Sequence, residues 1–254
     1  MSIGSEADLE ALKQAARVVR LALDEVESRV RPGVTTAELD EVGEAVFRRH
    51  GARSAPRLVY GFPGTVLVSV NDEIVHGVPG PRVIAGGDVV KLDITAEKDG
   101  YMADAARTVV VPPVSDVARR LAAAARNAFE RALHVARAGR RVAQIGRVIE
   151  AVVGEYGFSV AQGLQGHGIG RTIHEEPAVP NVYVPWQSDV LTEGLVLTIE
   201  PMVCAGSGAV VQDADGWTVR TRDGSLAAHH EHTLVITRGR PVLLTAPLLP
   251  LPQG

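Results

Sequence analysis

The chain is predicted to fold as one α+β domain on an antiparallel or mixed sheet. Three observations carry that prediction: helices that come in amphipathic pairs instead of alternating regularly with strands, a hairpin with turn chemistry at its tip, and no repeat or low-complexity linker to divide the 254 residues. A single core is feasible at this length, so residues 1–254 are assigned to one domain, with the helices of residues 1–60 inside it.

The elements follow in order. Residues from about Glu6 to Val30 read as a helix, with Leu9, Leu12, Ala16, Val19 and Leu23 at helical spacing before Pro32-Gly33 stops it. A second helix opens at Thr35-Thr36-Ala37-Glu38, which has capping-box spacing. It carries the stripe Leu39, Val42, Val46 and Phe47, and ends at Gly51. Thr65 to Val70 alternates as a strand, and Val89 to Ala96 pairs with Met102 to Val111 across Lys98-Asp99-Gly100. Helices are predicted over Ser115 to Ala138, ended by Gly139, and Val142 to about Tyr156, lined by Ile145, Val148, Ile149 and Val152. Strands return at Leu195 to Ile199, Trp217 to Thr221 and Thr233 to Thr237, between Gly- and Asp-rich turns. The proline-broken apolar tail from Pro241 to Gly254 is expected to pack on its own domain.

Composition narrows the function classes. At 46% hydrophobic and 22% charged the chain is an ordinary globular sequence, and its net charge of -4 gives no basic footprint for DNA. No apolar run reaches the roughly 18 residues of a membrane span, and no secretory leader is read at the N-terminus. The lone Cys204 cannot form an internal disulfide and reads as a small buried hydrophobe. A cytoplasmic protein is expected.

The chemistry lies in four carboxylates and one imidazole: Asp93, Asp104, His167, Glu200 and Glu231. A two-residue turn at Lys98-Asp99 would set Asp93 directly opposite Asp104, and one at Asp99-Gly100 would make them diagonal neighbours; in both cases the carboxylates share a face. Cross-strand partners come within about 4.5–5.5 Å at Cβ, which suits carboxylates serving two metals about 3.5–4 Å apart. His167 stands in Gly166-His167-Gly168-Ile169-Gly170, where glycines leave the ring unobstructed. Glu200 ends the apolar run Leu195-Val196-Leu197-Thr198-Ile199, and a carboxylate there needs a partner. Glu231 shares its strand face with His229 and Thr233, opposite His230 and His232; because the faces alternate, the three histidines are given surface or supporting roles. Converging carboxylates would repel one another unless cations neutralised them, and two divalent ions would balance four negative charges. The oxygen-rich set with one nitrogen suits Mn, Fe or Co and tolerates Zn. His76 follows a strand into a turn, where functional loops lie.

These strings resemble the type I methionine aminopeptidases over nearly the whole chain. They are Ser69-Val70-Asn71 through His76-Gly77-Val78-Pro79, Leu92-Asp93-Ile94, Gly166-His167-Gly168-Ile169-Gly170-Arg171, His174-Glu175-Glu176-Pro177, Thr198-Ile199-Glu200-Pro201-Met202, Asp215-Gly216-Trp217-Thr218-Val219 and Glu231-His232-Thr233. Each is weak alone, but their order and spacing are specific. The resemblance implies the pita-bread fold, two pseudo-symmetric halves of a curved antiparallel sheet backed by helices. It implies metal-assisted removal of the initiator Met from nascent polypeptides, favouring small second residues. By analogy Asp93 holds one metal, His167 and Glu200 hold the other, and Asp104 and Glu231 bridge both. His76, His174 and Glu200 become the catalytic set, with His76 and His174 also contacting substrate, and Phe62, Leu67, Ile173 and Trp217 match the pocket for the Met side chain. Two divalent ions (Co, Mn, Fe or Zn), a monomer, transient ribosome contact and no membrane or DNA partner complete the implied picture.

This chain departs from the family pattern in places. Val59 and Ile173 replace common aromatic residues, Leu67 stands where bacterial members often have Cys, and Ala105-Ala106 follow Asp104 where Thr or Cys followed by Ser or Ala is usual. His229 replaces a common Gln. These changes predict activity that is reduced or shifted in metal preference. The alternatives are an X-Pro aminopeptidase of the same fold and a catalytically weak binding protein.

Overall fold

The computed structural model describes residues 1–246. The N-terminal half holds α1 (Glu6–Glu27), α2 (Thr36–His50), β1 (Arg53–Ser54), α3 (Ala55–Tyr60), β2 (Leu67–Val70), β3 (Glu73–Val75), β4 (Val89–Lys98) and β5 (Tyr101–Val110). The Ser5 hydroxyl caps α1, and the reciprocal Thr35–Glu38 capping box starts α2, which Gly51 ends in a left-handed conformation. Helix α1 stops before the expected Val30: Arg29 and Val30 bond three residues back, tightening the last turn ahead of Pro32. Val19, Leu23, Val46 and Phe47 bury one helical face with Val68, Leu92 and Ile94 of the sheet.

The C-terminal half holds α4 (Asp116–Ala132), α5 (Ala143–Glu155), β6 (Ser159–Val160), β7 (Gln165–Gly168), β8 (Glu175–Pro180), β9 (Val196–Ile199), β10 (Met202–Cys204), β11 (Val210–Gln212), β12 (Val219–Thr221), β13 (Ala227–His229), β14 (His232–Val235) and β15 (Val242–Leu243). Its helices bury Leu121, Phe129, Ile145 and Ile149 against Leu197, Val203 and Leu234. Helix α4 ends at Ala132, short of Ala138. There the chain tightens into turns so that the Ala138 and Gly139 amides reach the Thr237 and Leu191 carbonyls.

Every strand pairing among the described residues is antiparallel, which agrees with the expected α+β class. Sheet order is β1-β4-β2 with β5 on β4 in the first half, and β15-β14-β9-β7-β8 in the second. Two smaller sheets, β13-β10-β6 and β11-β12-β3, complete the molecule. The halves join where Ala106 and Glu231 exchange backbone hydrogen bonds and the Asp104 amide donates to Thr233 Oγ1. Of the tail, Val242–Leu243 pairs with β14 and Thr245 is buried beside His232; residues 247–254 lie outside the described residues. Among the described residues no helix is long and apolar enough to cross a membrane.

Candidate metal centre

The five side chains meet at the junction of the halves. Asp99 and Gly100 both take positive φ at the hairpin tip, a two-residue turn of the kind that suits strand twist. The register therefore pairs Asp93 with Ala106 and Thr95 with Asp104, the diagonal arrangement of the two that turn chemistry allowed. From the other half β9 delivers Glu200 at its end, β7 delivers His167, and Glu231 sits between β13 and β14. Oxygen and nitrogen atoms of Asp104, His167 and Glu231 lie within 4.8 Å of one another, as do those of Asp93, His229 and Glu231. His167 Nε2 is 3.4 Å from Glu200 Oε1. Its Nδ1 is 2.9 Å from the Gly168 carbonyl, which fixes the proton there and leaves Nε2 free as a donor atom for a metal.

The four carboxylates are between 1% and 9% exposed, and their only ion-pair partners within reach among the described residues are histidines. Asp93 Oδ1, Asp104 Oδ1 and Glu231 Oε1 are buried without any hydrogen-bond partner. Burial and mutual repulsion push the carboxyls of Asp93 and Glu231 well above the usual range, and burial raises that of Glu200 in the same way. Asp104 is raised to about 6 by burial, and burial lowers His167 to about 4. Clustered acids with orphaned oxygens and a neutral imidazole are costly in a bare protein and complementary to divalent cations, so the residues present fit a metal site.

Two cavities open on this cluster. A small pocket of about 90 Å³ is lined by Phe62, Leu67, Ile173 and Trp217 together with Pro56 and Tyr60, and its floor includes Asp93, Asp104 and Glu231. Phe62 and Trp217 meet edge to face at 5.3 Å, and Asp215 holds the Trp217 and Thr218 amides in the turn that brings the indole there. The broader cleft, about 510 Å³, is walled by His76, His174 and Glu175 and reaches His167 and Glu200. His76 has a φ of 59°, a left-handed conformation unusual for a side-chain-bearing residue. Its neighbour Gly77 bonds Val68 and Ser69 on β2, and a Cβ there would lie 2.3 Å from the Val68 carbonyl oxygen. His174 packs against His167 with ring centres 4.2 Å apart and accepts or donates at Nδ1 to the Tyr60 hydroxyl, 2.5 Å away.

The sequence pattern of metallopeptidase family M24 matches residues 10–238. The chain belongs to metallopeptidase family M24. As an M24 chain it is a metal-dependent hydrolase, and its relatives agree in length as well as in sequence. Methionine aminopeptidase 2 of Bacillus subtilis (strain 168) is 40% identical over 247 residues, covering 96% of this chain and 99% of that protein. The crystal structure of methionine aminopeptidase from Thermotoga maritima superposes with a TM-score of 0.94 at 35% identity, over 97% of this chain and all (100%) of that one. Prolidase from Pyrococcus furiosus shares the fold alone, at 22% identity and a TM-score of 0.78, and this chain spans only 66% of its length. The pita-bread architecture expected from the resemblance is the one this M24 chain has.

Within that M24 frame Phe62, Leu67, His76, Asp93, Asp104, His167, Ile173, His174, Glu200, Trp217 and Glu231, the residues expected in the site, all line one pocket, and the structure adds others. His229, given a surface or supporting role, is 1% exposed and lies inside the cluster. His230 and His232 do face away, each 5.2 Å from the Phe129 ring. Ala105 faces the apolar core, and Ala106, opposite Asp93, offers no side-chain donor to the orphaned Asp93 oxygen. Tyr60, Thr198 and Asn181 were not anticipated. Thr198 Oγ1 donates to Glu200 Oε1 at 2.7 Å and accepts from the His167 amide at 3.1 Å, while Asn181 Nδ2 donates to the Glu200 carbonyl at 3.0 Å. Tyr60 could have been found from Ser54-Ala55-Pro56 and Gly61, the N-cap, first-turn proline and C-cap glycine of α3.

Proposed function

We propose that this M24 enzyme is a methionyl aminopeptidase that hydrolyses the first peptide bond of nascent polypeptides beginning with Met, favouring small second residues. The observation that carries the reading is the small apolar pocket ending on the acidic cluster. It suits an unbranched thioether side chain and sets the bond that follows it over the carboxylates.

Asp93, Asp104, His167, Glu200 and Glu231 would hold two divalent ions, of Co, Mn, Fe or Zn. When bound, such ions supply Lewis acidity, a lowered pKa for water and an anchor for the free α-amino group. The chain's own groups do the rest. Thr198 fixes Glu200 Oε1, so Glu200 Oε2 is the oxygen that takes the proton of the attacking water and returns it to the leaving nitrogen. If the Tyr60 hydroxyl donates to His174 Nδ1, His174 Nε2–H faces the cleft as a donor to the scissile carbonyl. His76, across the cleft, meets the leaving amide. Water is consumed, the C–N bond breaks, and free methionine and a shortened chain leave. The chain acts as one catalytic domain in the cytoplasm, with transient ribosome contact giving access to nascent chains.

Mass-spectrometric turnover of Met-Ala-Ser by chelator-stripped protein, with and without added Mn or Co, tests this. The expected result is loss of the N-terminal Met only, dependent on metal and absent in Asp104→Ala. Turnover restricted to X-Pro peptides, or none with any metal, would overturn it.

A further inference from the structure

We infer that His229 is a sixth metal-ligating side chain, placing an imidazole at each end of the acidic cluster. This inference rests on the metal-site reading above and adds a residue to it. The two convergent groups share Glu231 and are otherwise alike: one adds Asp104 and His167, the other Asp93 and His229. His229 Nε2 is 3.7 Å from Glu231 Oε2 and 3.8 Å from Glu200 Oε2. Those separations exceed hydrogen-bond length, and both ring nitrogens are buried with no partner. A fully buried imidazole that satisfies neither nitrogen is costly as a packing residue. Converging with Asp93 and Glu231, whose Oδ1 and Oε1 are themselves orphaned, it has the position of a donor to an ion held between those two carboxylates.

The backbone supports that aim. The His229 amide donates to Thr108 Oγ1 and its carbonyl accepts from the same hydroxyl, while Met202 pairs with it in register across β10 and β13. The residue is thus clamped from β5 on one side and β10 on the other, with its ring turned into the cluster. A second nitrogen donor biases an otherwise oxygen-rich site away from Mn and toward metals that favour imidazole, such as Co and Zn.

The test is calorimetric titration of chelator-stripped wild-type protein and His229→Gln with Co and with Mn, beside NMR of the Co-loaded wild type labelled with nitrogen-15 histidine. The expected result is a Co affinity about 10–100-fold weaker at one site in H229Q, the scale on which a lost supporting contact alone acts, with a smaller change for Mn. In the wild type two histidine rings, assigned to His167 and His229, should carry strong contact shifts. One contact-shifted ring in the wild type, whatever the affinity of the variant, would overturn the inference and leave the metal site intact. Failure of the wild type to bind Co at all would overturn the metal-site reading and this inference with it. Because the NMR arm uses wild-type protein, misfolding of the variant does not decide the outcome.

Discussion

Thr198 ties two parts of the site with one hydroxyl, accepting from the His167 amide and donating to Glu200. Thr198→Val keeps the shape and leaves both partners unpaired in a buried setting, where each costs about 1–3 kcal/mol. The expected effect is a loss of about 10–100-fold in kcat/KM on Met-Ala-Ser, recovered by Thr198→Ser, because displaced groups around a metal ligand act on that scale. Wild-type rates in the valine variant would remove Thr198 from the positioning role. The cluster's protons make a second expectation. Asp104 is raised to about 6, and Asp93, Glu200 and Glu231 lie well above their usual range, so metal ions must displace protons to bind. Metal affinity should rise with pH, and proton release should be larger at pH 6 than at pH 8, where Asp104 has already ionised. Calorimetry in two buffers of different ionisation enthalpy measures this; release that is zero at both pH values would show carboxylates already charged in the bare protein.

At the scale of elements, what was legible had a period. The helical stripes and the caps at Thr35 and Gly51 were readable because burial repeats along a helix, whereas α4 stops at Ala132, before the expected end at Gly139; the hairpin was readable because two-residue turns need positive φ. Strands β7 and β8 were not, since Gln-Gly-His-Gly and a segment holding Pro177 and Pro180 show no alternation and are held by their neighbours. The five acidic and imidazole groups could be named from residue type and setting. The role of His229 could not, because three histidines around Glu231 look alike until orphaned nitrogens and the Phe129 contacts separate them. The glycine beside His167 tests how closely β7 and β8 must approach. A Cβ on Gly168 would stand 2.2 Å from the Glu176 carbonyl oxygen, so Gly168→Ala must push β8 aside. The expected cost is about 1–3 kcal/mol in thermal unfolding, together with reduced stabilisation by Co. Gly154→Ala, in α5 with nothing within 4 Å, should instead stabilise by about 0.5–1 kcal/mol. Equal, small effects at the two positions would mean that the β7–β8 approach is slack.

Across the whole molecule, two apolar cores each stabilise their own half, and the acidic cluster lies on the seam between them. Without metal that seam opposes folding at neutral pH. A carboxyl whose pKa is raised by folding contributes stability that is complete below its unfolded value and is lost as pH rises through the folded one; for Asp104 that window runs from about 4 to above 6. His167, lowered to about 4, and His229, lowered to about 3, work in the opposite sense: their contribution is present above about 6.5 and is lost as pH falls. At pH 8 the histidines are neutral in both states, and carboxylate repulsion is the remaining penalty. Asp104→Asn removes one buried charge and keeps the shape, so in chelator at pH 8 the variant should be more stable than the wild type by about 1–4 kcal/mol, the range seen when buried ion pairs are replaced by well-packed uncharged side chains of similar volume. Saturating Co should reverse the order, because ion at 1,000 times its Kd stabilises the wild type by about 4.1 kcal/mol and the variant has lost a ligand. Thermal unfolding of both proteins, with chelator and with Co, would show crossed curves. Parallel curves would mean that the cluster does not trade stability for metal binding, and would place the origin of its raised carboxyl protons elsewhere than in their shared seam.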